Sequence, residues 1–506
     1  MRVRARLVWT WLAACGPGPV EPPRAIAGAP GPVEPEEPAR EEPRASVEPR
    51  PVVTDLPAGA RARDWLLAGG GGTPEFNQVS IEQDLELARS VLAGEGLVLF
   101  AGGRGADGVQ TLAQAGGEDV LLGQLADLFA PRGGRTSRYR PTTLAVDAAA
   151  TADRVQAALA ASVAEDAAPL LVYLAGHGQA ATAPADTGID LWGQTALRAV
   201  DVAGTLDGGA RPVRLVVTSC FSGGFAELAF VGADAQAGRP ARGRCGLFAA
   251  TAEREASGCD PNPDRAAQEG YGLHFLNALR GRDREGKALA RAELDVDGDG
   301  RISLLEAHTR ARVASGGIDV PTTTSDRWLR ARAAGLRGRS RPARLPEEDA
   351  VIAALSGELG SEASARAGLE QVQKDMSAAT AEVERAGGDE DAAFRRTAGE
   401  LLARWPVLDD PWHPDFAATL AGGRAAIAAH LAASEAYADY AAARAAGDAA
   451  REALGAALQR SARLERLVRA YETRALADRL QARGGADWRA YEALLACERW
   501  VPAVTE

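Results

Sequence analysis

The fold is decided by two stretches of sequence, PLLVYLAGHG at residues 169–178 and VRLVVTSCFSGG at residues 213–224. Each begins with a continuous apolar run, which is typical of a strand covered on both faces in a parallel sheet. Each then turns polar, at His177 in the first stretch and at Cys220 in the second. Because sites in parallel α/β sheets form beyond the carboxyl ends of the strands, we expect His177 and Cys220 to lie at one sheet edge.

The sequence around these stretches alternates between strand and helix patterns. Further buried strands are predicted at 96–101 and 245–251, and helices at 81–92, 152–164, 196–206 and 268–279. This alternation predicts an α/β domain over residues 61–340, with a mainly parallel sheet flanked by helices.

Residues 345–506 have a different character, because Ala, Leu, Glu and Arg dominate and apolar residues recur at helical spacing. We expect an all-α helical hairpin or coiled-coil region, broken at 404–416 and at 421–423, with a shorter helix at about 487–499. The region either packs on itself or on the first domain, or it docks a substrate or partner or covers a cleft. The sequence does not choose between these roles.

The overall composition is that of a globular protein, with 506 residues, 46% hydrophobic residues, 25% charged residues and a formal net charge of −12. The acidic balance argues against a general nucleic-acid binder, which needs a basic face to neutralise phosphates. We therefore expect no nucleic-acid partner.

The N-terminus carries the pattern of a secretion signal. Residues 1–15, MRVRARLVWTWLAAC, combine three arginines, a short apolar run and small residues before a cysteine. The end of this segment resembles a bacterial lipobox, which implies lipid attachment at Cys15 and a periplasmic or outer-membrane lipoprotein. The alternative is a misplaced start or a plain leader. Residues 16–60, rich in Pro and Glu, predict a disordered linker.

The state of two cysteines depends on whether the protein is exported to an oxidising compartment. If the domain is exported, Cys245 and Cys259, which flank the last predicted strand, either form a disulfide or remain two thiols.

The two reactive residues would supply nucleophilic catalysis if they meet. An imidazole such as His177 can take the proton of the Cys220 thiol and later protonate the leaving amine. Gly178 would let the backbone turn, and its N–H, with that of Cys220, would bind an oxyanion. Gly223 and Gly224 are expected to allow a tight turn into a helix whose N-terminus favours a thiolate. Alone, a histidine or cysteine after a strand is more often structural.

These motifs resemble the caspase-like cysteine peptidases, the group that includes legumains, caspases, metacaspases and gingipains. The shared pattern is a strand ending in His-Gly and, 43 residues after that His, a Cys followed by x-Ser-Gly. The segments at 96–105 and 250–252 look more like legumains than caspases. The resemblance implies a caspase-like fold and a cysteine endopeptidase acting on a protein or peptide, with Cys220 as nucleophile and His177 as general base or acid.

Three positions depart from the pattern of the group. Phe221 stands where legumains carry an acidic residue that selects Asn, and Thr218 stands where Arg/Lys-cleaving relatives often carry Asp. Arg104 is the nearest match to the Asn that helps orient the His in legumains. Neither preference therefore carries over, and Glu253 and Glu255 are either candidates for a specificity pocket or solvated loop charges.

Residues 295–306, DVDGDGRISLLE, follow the full EF-hand pattern. Hard oxygen donors must converge on one Ca²⁺ ion, and a glycine at position six allows the left-handed turn. The expected ligands at positions one, three, five, seven (a backbone carbonyl), nine and twelve are Asp295, Asp297, Asp299, Arg301, Ser303 and Glu306. The alternative is an acidic turn before a helix. Flanking helices are predicted at 284–293 and 303–313, and calcium-dependent activity is a hypothesis.

Three functions remain open from the sequence. The first is an exported, calcium-binding cysteine endopeptidase. The second is a scaffold or binding protein that keeps the fold and acts through its helical hairpin, with little hydrolysis. The third is a transpeptidase or ligase, because an acyl-enzyme can be intercepted by an amine.

Overall fold

The computed structural model describes residues 63–106, 108–112, 119–129 and 137–505. The predicted signal at 1–15, with Cys15, and the predicted linker at 16–60 lie outside these residues. The described part is mixed α/β, with a mainly parallel sheet flanked by helices and then a long helical region. This confirms the coarse fold predicted from the sequence.

Six of the strands in the described residues form the central sheet. In chain order the strands are β1 (Trp65–Gly70), β2 (Gly96–Phe100), β3 (Val109–Leu112), β4 (Ser137–Arg140), β5 (Leu170–Gly176), β6 (Gly178–Gln179), β7 (Gly188–Leu191), β8 (Thr195–Arg198), β9 (Val213–Val217), β10 (Arg244–Phe248) and β11 (Thr322–Thr323). The central order is β11-β10-β9-β5-β1-β2, parallel except for the antiparallel pair β10–β11. The strands before His177 and Cys220, β5 and β9, are direct neighbours.

Helices cover the sheet and then form the second half of the chain. They are α1 (Val79–Val91), α2 (Val120–Phe129), α3 (Ala152–Val163), α4 (Ala199–Asp207), α5 (Tyr271–Leu279), α6 (Leu304–Ala314), α7 (Thr324–Ala333), α8 (Pro346–Leu359), α9 (Glu362–Arg404), α10 (Phe416–Ala433), α11 (Glu435–Arg483) and α12 (Gly485–Glu498). The long helices α9 and α11 pack against each other as the predicted hairpin. By length and hydropathy alone α10 would be long and apolar enough to cross a membrane, which is weak support for a span.

The central strands are buried on both faces, which explains their continuous apolar sequences. Along β5, Leu171 and Tyr173 belong to one core cluster, whereas Leu170 and Val172 belong to the cluster on the other face. Each of these side chains is at most 3% exposed. Such a strand has no polar face, so its sequence does not alternate.

Two predicted features of the helices are wrong. The helix predicted at 284–293 is a turn, because Asp283 accepts hydrogen bonds from the backbone N–H groups of Glu285 and Lys287 and only a single 3-10 turn follows at Arg291–Glu293. The break predicted at 421–423 is absent, since α10 continues through it. Two glycines in a helix cost only about 1 kcal/mol each, and the surrounding alanines offset this cost.

The end of the helical region packs into the same core as the sheet. Leu480 of α11 and Leu494 of α12 lie in the cluster on one face of the sheet. A disulfide joins Cys245 of β10 to Cys497 of α12. Neither alternative left open by the sequence for Cys245 and Cys259, a disulfide between them or two thiols, holds, because Cys245 packs beside α12 and is bonded there to Cys497.

A buried carboxylate fixes α12 beside this disulfide. Glu498 is 0% exposed and accepts hydrogen bonds from Thr324 Oγ1 at 2.7 Å, from the Ser325 N–H at 2.7 Å and from Ser325 Oγ at 2.6 Å. Burial raises the pKa of Glu498 to about 7, although the hydrogen bonds from Ser325 and Thr324 oppose the rise. The carboxyl group thus satisfies the N-terminus of α7, and α12 is held both covalently and by buried polar contacts.

Candidate functional site

His177 directly follows β5, and its imidazole is held at one nitrogen. The ring Nε2 lies 2.8 Å from Oε1 of Gln78, the residue that precedes α1. Phe76 packs edge-on against the ring, with the two ring centroids 5.8 Å apart. The other ring nitrogen, Nδ1, is buried and has no hydrogen-bond partner among the described residues. The contacts at Gln78 and Phe76 therefore orient the ring.

Cys220 lies just beyond the end of β9 and is 0% exposed. Its Sγ accepts a hydrogen bond from the Ala256 N–H at 3.2 Å and lies 3.6 Å from the Ala256 carbonyl oxygen. Ala256 belongs to the segment between β10 and α5, which we call the β10–α5 loop (residues 249–270). A substrate can reach the sulfur only if this loop moves.

Gly178 brings the two sequence motifs into contact. A Cβ atom added at Gly178 would lie 1.9 Å from the carbonyl oxygen of Cys220. The backbone of the His-Gly motif is therefore packed directly on the backbone of the cysteine. The role predicted for Gly178 was a sharp turn and an N–H for the oxyanion. The structure adds a steric reason why no side chain fits at this position.

We expect Gly178→Ala to lower the free energy of unfolding by at least about 2 kcal/mol, because the added methyl group overlaps a backbone atom that cannot move aside. Chemical denaturation would measure the change. Gly204→Ala is the matched control, since a Cβ at Gly204 in α4 meets nothing within 4 Å and helix propensity alone should add about 0.5–1 kcal/mol. Equal effects of the two substitutions would contradict the packing described here.

A carboxylate that sequence analysis did not single out lies near the imidazole. Asp190 of β7 donates its backbone N–H to the His177 carbonyl at 2.9 Å, and its side chain is hydrogen-bonded to Gln179. Burial raises the pKa of Asp190, and the positive charge of a protonated His177 opposes the rise. The Asp190 carboxylate therefore lies close enough to His177 for the two side chains to interact electrostatically.

The glycines after Cys220 do not form the tight turn that was predicted for them. Phe221 takes the left-handed conformation, with φ of 56°, and a 3-10 helix begins at Ser222. A Cβ on Gly223 would lie 2.6 Å from the backbone of Thr251, so Gly223 is needed for close packing rather than for a tight turn. The Phe221 N–H donates to the Arg254 carbonyl at 2.7 Å, which ties this turn to the β10–α5 loop.

An ion pair and a hydrogen bond from residues outside the sheet also hold the β10–α5 loop in place. Arg254 forms an ion pair with Glu465 of α11, and the Ser257 N–H donates to Asp319 at 2.7 Å. Burial raises the pKa of Asp319 to about 7, and the hydrogen bond from Ser257 opposes this rise. Glu253 of the same loop is exposed. The helical region therefore helps to hold the β10–α5 loop over the Cys220 sulfur.

Sequence analysis missed the residue that holds His177. Arg104, the nearest match to the orienting Asn of legumains, instead donates its Nε to the Val146 carbonyl at 2.9 Å. The orienting contact comes from Gln78, after β1, a strand that was not predicted. Had WLLAGG at 65–70 been recognised as a strand beside β5, the polar residues that follow it would have pointed to this position.

The acidic loop at 295–306 gathers three of its predicted ligands. Asp295, Asp297 and Asp299 each place one carboxylate oxygen within 4.8 Å of the others. Oδ2 of Asp295 accepts the Gly300 N–H at 2.9 Å, and Gly300 has φ of 83°, as the EF-hand turn requires. Oδ1 of Asp295 is buried and has no hydrogen-bond partner among the described residues. This orphaned oxygen fits a cation ligand.

The remaining predicted ligands form hydrogen bonds with neighbouring residues of the same segment. Glu306 Oε2 accepts hydrogen bonds from the Ser303 N–H at 2.8 Å and from Ser303 Oγ at 2.9 Å, which caps α6. Glu306 Oε1 accepts the Val296 N–H at 2.8 Å, so this carboxylate already lies over the loop. The Arg301 N–H donates to Asp299 at 2.7 Å. Only the exit helix of the predicted pair is present, as α6.

Arg291 partly neutralises these carboxylates, because its Nε lies 3.6 Å from Oδ2 of Asp295. Arg344 donates to the backbone carbonyl of Asp297 at 3.2 Å and so leaves that carboxylate unpaired by it. A cation bound by the three aspartates would therefore compete with the guanidinium group of Arg291. This charge balance favours a weak site over a tight one.

No family model and no curated protein matches this chain.

Proposed function

We propose that this protein is a cysteine endopeptidase of the caspase-like group, closest to the legumains. One observation carries the proposal. His177 and Cys220 follow neighbouring parallel strands at the same sheet edge, and Gly178 packs directly on the Cys220 carbonyl. In a parallel sheet this edge is where catalytic residues gather.

The chemistry follows from the two side chains. His177 Nδ1 takes the proton of the Cys220 thiol, and the thiolate sulfur forms a bond to the scissile carbonyl carbon. The imidazolium then returns its proton to the leaving amine as the C–N bond breaks, which leaves an acyl-enzyme. Water, deprotonated by His177, hydrolyses that thioester and restores the thiol. Asp190 lies close enough to interact electrostatically with the imidazole during these steps.

The oxyanion is assigned to backbone donors. The N–H groups of Gly178 and Cys220 belong to two segments in direct contact, so we assign both to the carbonyl oxygen of a substrate bound at this sheet edge. Because the β10–α5 loop covers the sulfur, we expect it to swing out before a peptide binds.

A thiol-reactive peptidyl probe tests the proposal. We expect covalent attachment at Cys220 and not at Cys259, although Cys259 is the more exposed of the two. His177→Asn should suppress this labelling. Attachment at Cys259 alone would overturn the proposal.

The burial of the sulfur also favours a second candidate, a scaffold of the same fold that acts through its helical hairpin. Cys220 is 0% exposed and its sulfur is bonded to Ala256, as expected for an inert core cysteine. In that case the probe would label neither cysteine under native conditions. It would label both only after unfolding.

We propose further that the loop at 295–306 binds one Ca²⁺ ion through Asp295, Asp297 and Asp299, with Glu306 as a nearby donor. The orphaned oxygen of Asp295 supports this assignment. The ion would supply positive charge that holds the loop against α6. Its role is structural, since the loop is single in the described residues.

Isothermal titration should show one Ca²⁺ bound per chain, with a dissociation constant in the range of about 10⁻⁴–10⁻³ M, because Arg291 competes for the carboxylate of Asp295. Asp295→Asn should remove the binding heat. Glu285→Gln, which changes an exposed carboxylate outside the loop, should leave it intact. Identical titrations of wild type and Asp295→Asn would contradict the site.

Export is proposed from the N-terminal pattern and is supported by the disulfide. A structural disulfide persists in oxidising compartments such as the bacterial periplasm. The Cys245–Cys497 bond therefore agrees with an exported protein, tethered by a lipid at Cys15 to a bacterial membrane. Mass spectrometry of the mature N-terminus would test the lipid.

A further inference from the structure

We propose that a cavity between α7, α12 and the segment 236–240 binds a phosphate monoester. This basic cavity has a volume of about 640 Å³ and is lined by that segment, by Trp328 and Arg332 of α7 and by the first two turns of α12. The segment 236–240 leads into the amino end of β10, whereas His177 and Cys220 follow the carboxyl ends of their strands. The basic cavity is therefore separate from the proposed catalytic edge, and the proposal does not depend on the peptidase.

Three arginines and one acid give the basic cavity its charge. Arg239, Arg332 and Arg489 line it together with Asp487, which leaves a formal charge of +2. The Asp487 carboxylate is also shared with Arg483, at 3.6 Å. Arg239 and Arg489 make no side-chain hydrogen bond or ion pair with any other described residue. On a chain with a net charge of −12, such a local excess of positive charge points to an anionic ligand.

Arg332 is held in place without a carboxylate. It donates to the Ala237 carbonyl at 2.8 Å, and its Nε is buried and has no hydrogen-bond partner among the described residues. Its guanidinium carbon lies 4.8 Å from the ring centroid of Trp328 and 5.4 Å from that of Phe230. A positive charge that is held against two rings and partly removed from water attracts an anion more strongly than a fully solvated one.

The N-terminus of α12 adds backbone donors to the basic cavity. The N-cap residue of α12, Gly484, provides no side-chain cap. Ala486 and Asp487 lie in the first turn, where the helix offers no acceptor for the backbone N–H groups, and both residues line the cavity. Trp328 Nε1 donates to the Asp487 carbonyl at 3.1 Å, which fixes this turn beside α7. The positive end of the helix dipole therefore faces the same cavity as the arginines.

A phosphate monoester fits these groups better than a carboxylate does. Its phosphoryl group carries a charge of about −1.5 to −2 at neutral pH, close to the excess positive charge of the cavity, whereas a carboxylate carries a single charge. Guanidinium groups bind phosphate oxygens through pairs of parallel hydrogen bonds, and the N–H groups at a helix N-terminus bind phosphate as well. The cavity is larger than a phosphoryl group, so it has room for the organic part of the ester.

Isothermal titration with inorganic phosphate and with glycerol 3-phosphate tests the basic cavity. We expect saturable binding of both in about 0.15 M salt, where charges on distant parts of the surface are screened. Arg489→Gln and Arg239→Gln should each weaken binding on the order of 10-fold, because each removes one charged donor. Arg395→Gln is the matched control, since it changes an exposed arginine of α9 outside the cavity and should leave the Kd unchanged.

Asp487→Asn separates loss of the site from damage to the fold. This change removes the acid that repels the phosphoryl group, so binding should become tighter on the order of 5-fold. A variant that was merely destabilised would not bind more tightly than wild type. Glycerol 3-phosphate should also raise the Tm of wild type, because it binds only the folded state, and should raise the Tm of Arg489→Gln less.

Vesicles distinguish a soluble ester from a lipid headgroup of the same chemistry. Wild type is sedimented with vesicles of phosphatidylcholine alone and with vesicles that also contain phosphatidic acid, whose headgroup is a phosphate monoester. Sedimentation that requires phosphatidic acid and is lost in Arg489→Gln would support a lipid as the ligand, whereas binding of the soluble probes alone would support a soluble ester. Absence of binding to every probe, or equal weakening by Arg489→Gln and Arg395→Gln, would overturn the proposal.

Discussion

Cys220→Ala is expected to abolish peptide hydrolysis, with kcat/KM falling on the order of 10⁴-fold or more, because the sulfur forms the bond to the substrate. Cleavage-site profiling with a peptide library, with and without calcium, would measure the loss and report which side chains are accepted. The matched control is Cys259→Ala, which removes the other thiol of the described residues and should retain full activity.

The alanine should leave the fold intact, since it removes one buried atom and the weak hydrogen bonds of the sulfur with the Ala256 backbone. Circular dichroism and thermal unfolding would verify that the variant is native. Cleavage of the library by native Cys220→Ala at the rate of wild type would show that another residue performs the reaction.

Cys497→Ser is expected to lower the free energy of unfolding by about 2–5 kcal/mol, the usual range for loss of a native disulfide. The bond joins residues 252 positions apart, so its loss lets α12 separate from β10 in the unfolded ensemble and in partly opened states. Chemical denaturation, with and without reductant, would measure the change. Reductant should destabilise wild type to the same extent and should have no further effect on the variant.

The control for this prediction is Cys259→Ser, which lies outside the disulfide. Equal stability of wild type with and without reductant would show that the bond does not hold the helical region to the sheet. Because Glu498 remains bound to α7 in Cys497→Ser, α12 should stay docked at neutral pH even when the covalent link is gone.

The strands that precede the reactive residues could be predicted because a strand buried on both faces has a largely apolar sequence. β5 is apolar on both faces, β9 is apolar except for Arg214, and the chain reaches His177 and Cys220 just beyond the two strands. The neighbour relation of β5 and β9 was expected only from the general behaviour of parallel sheets. β1 was missed because its apolar run is short and continues into a row of glycines at 69–72, which read as a turn.

Contacts between distant segments could not be predicted in the same way. Nothing near Gln78 in the sequence marks it as the partner of His177, 99 residues away, and nothing near Cys245 marks Cys497. These contacts depend on how the elements stack, whereas helix and strand patterns report only local environment. The acidic loop at 295–306 was predicted in part. Its aspartates and glycine form a local pattern in the sequence, whereas the predicted entry helix is replaced by the turn at Asp283.

The most direct test of the dyad is the rate at which iodoacetamide alkylates Cys220, followed by mass spectrometry from pH 5 to pH 9 in wild type and in His177→Ala. A thiolate held by an imidazole reacts at pH values well below the ordinary thiol pKa of about 8.5. The account predicts that Cys220 in wild type is alkylated at low pH, faster than Cys259, and that His177→Ala abolishes this low-pH reaction. If Cys220 reacts no faster than Cys259 at any pH, and its profile is the same in both proteins, then His177 and Cys220 do not act together.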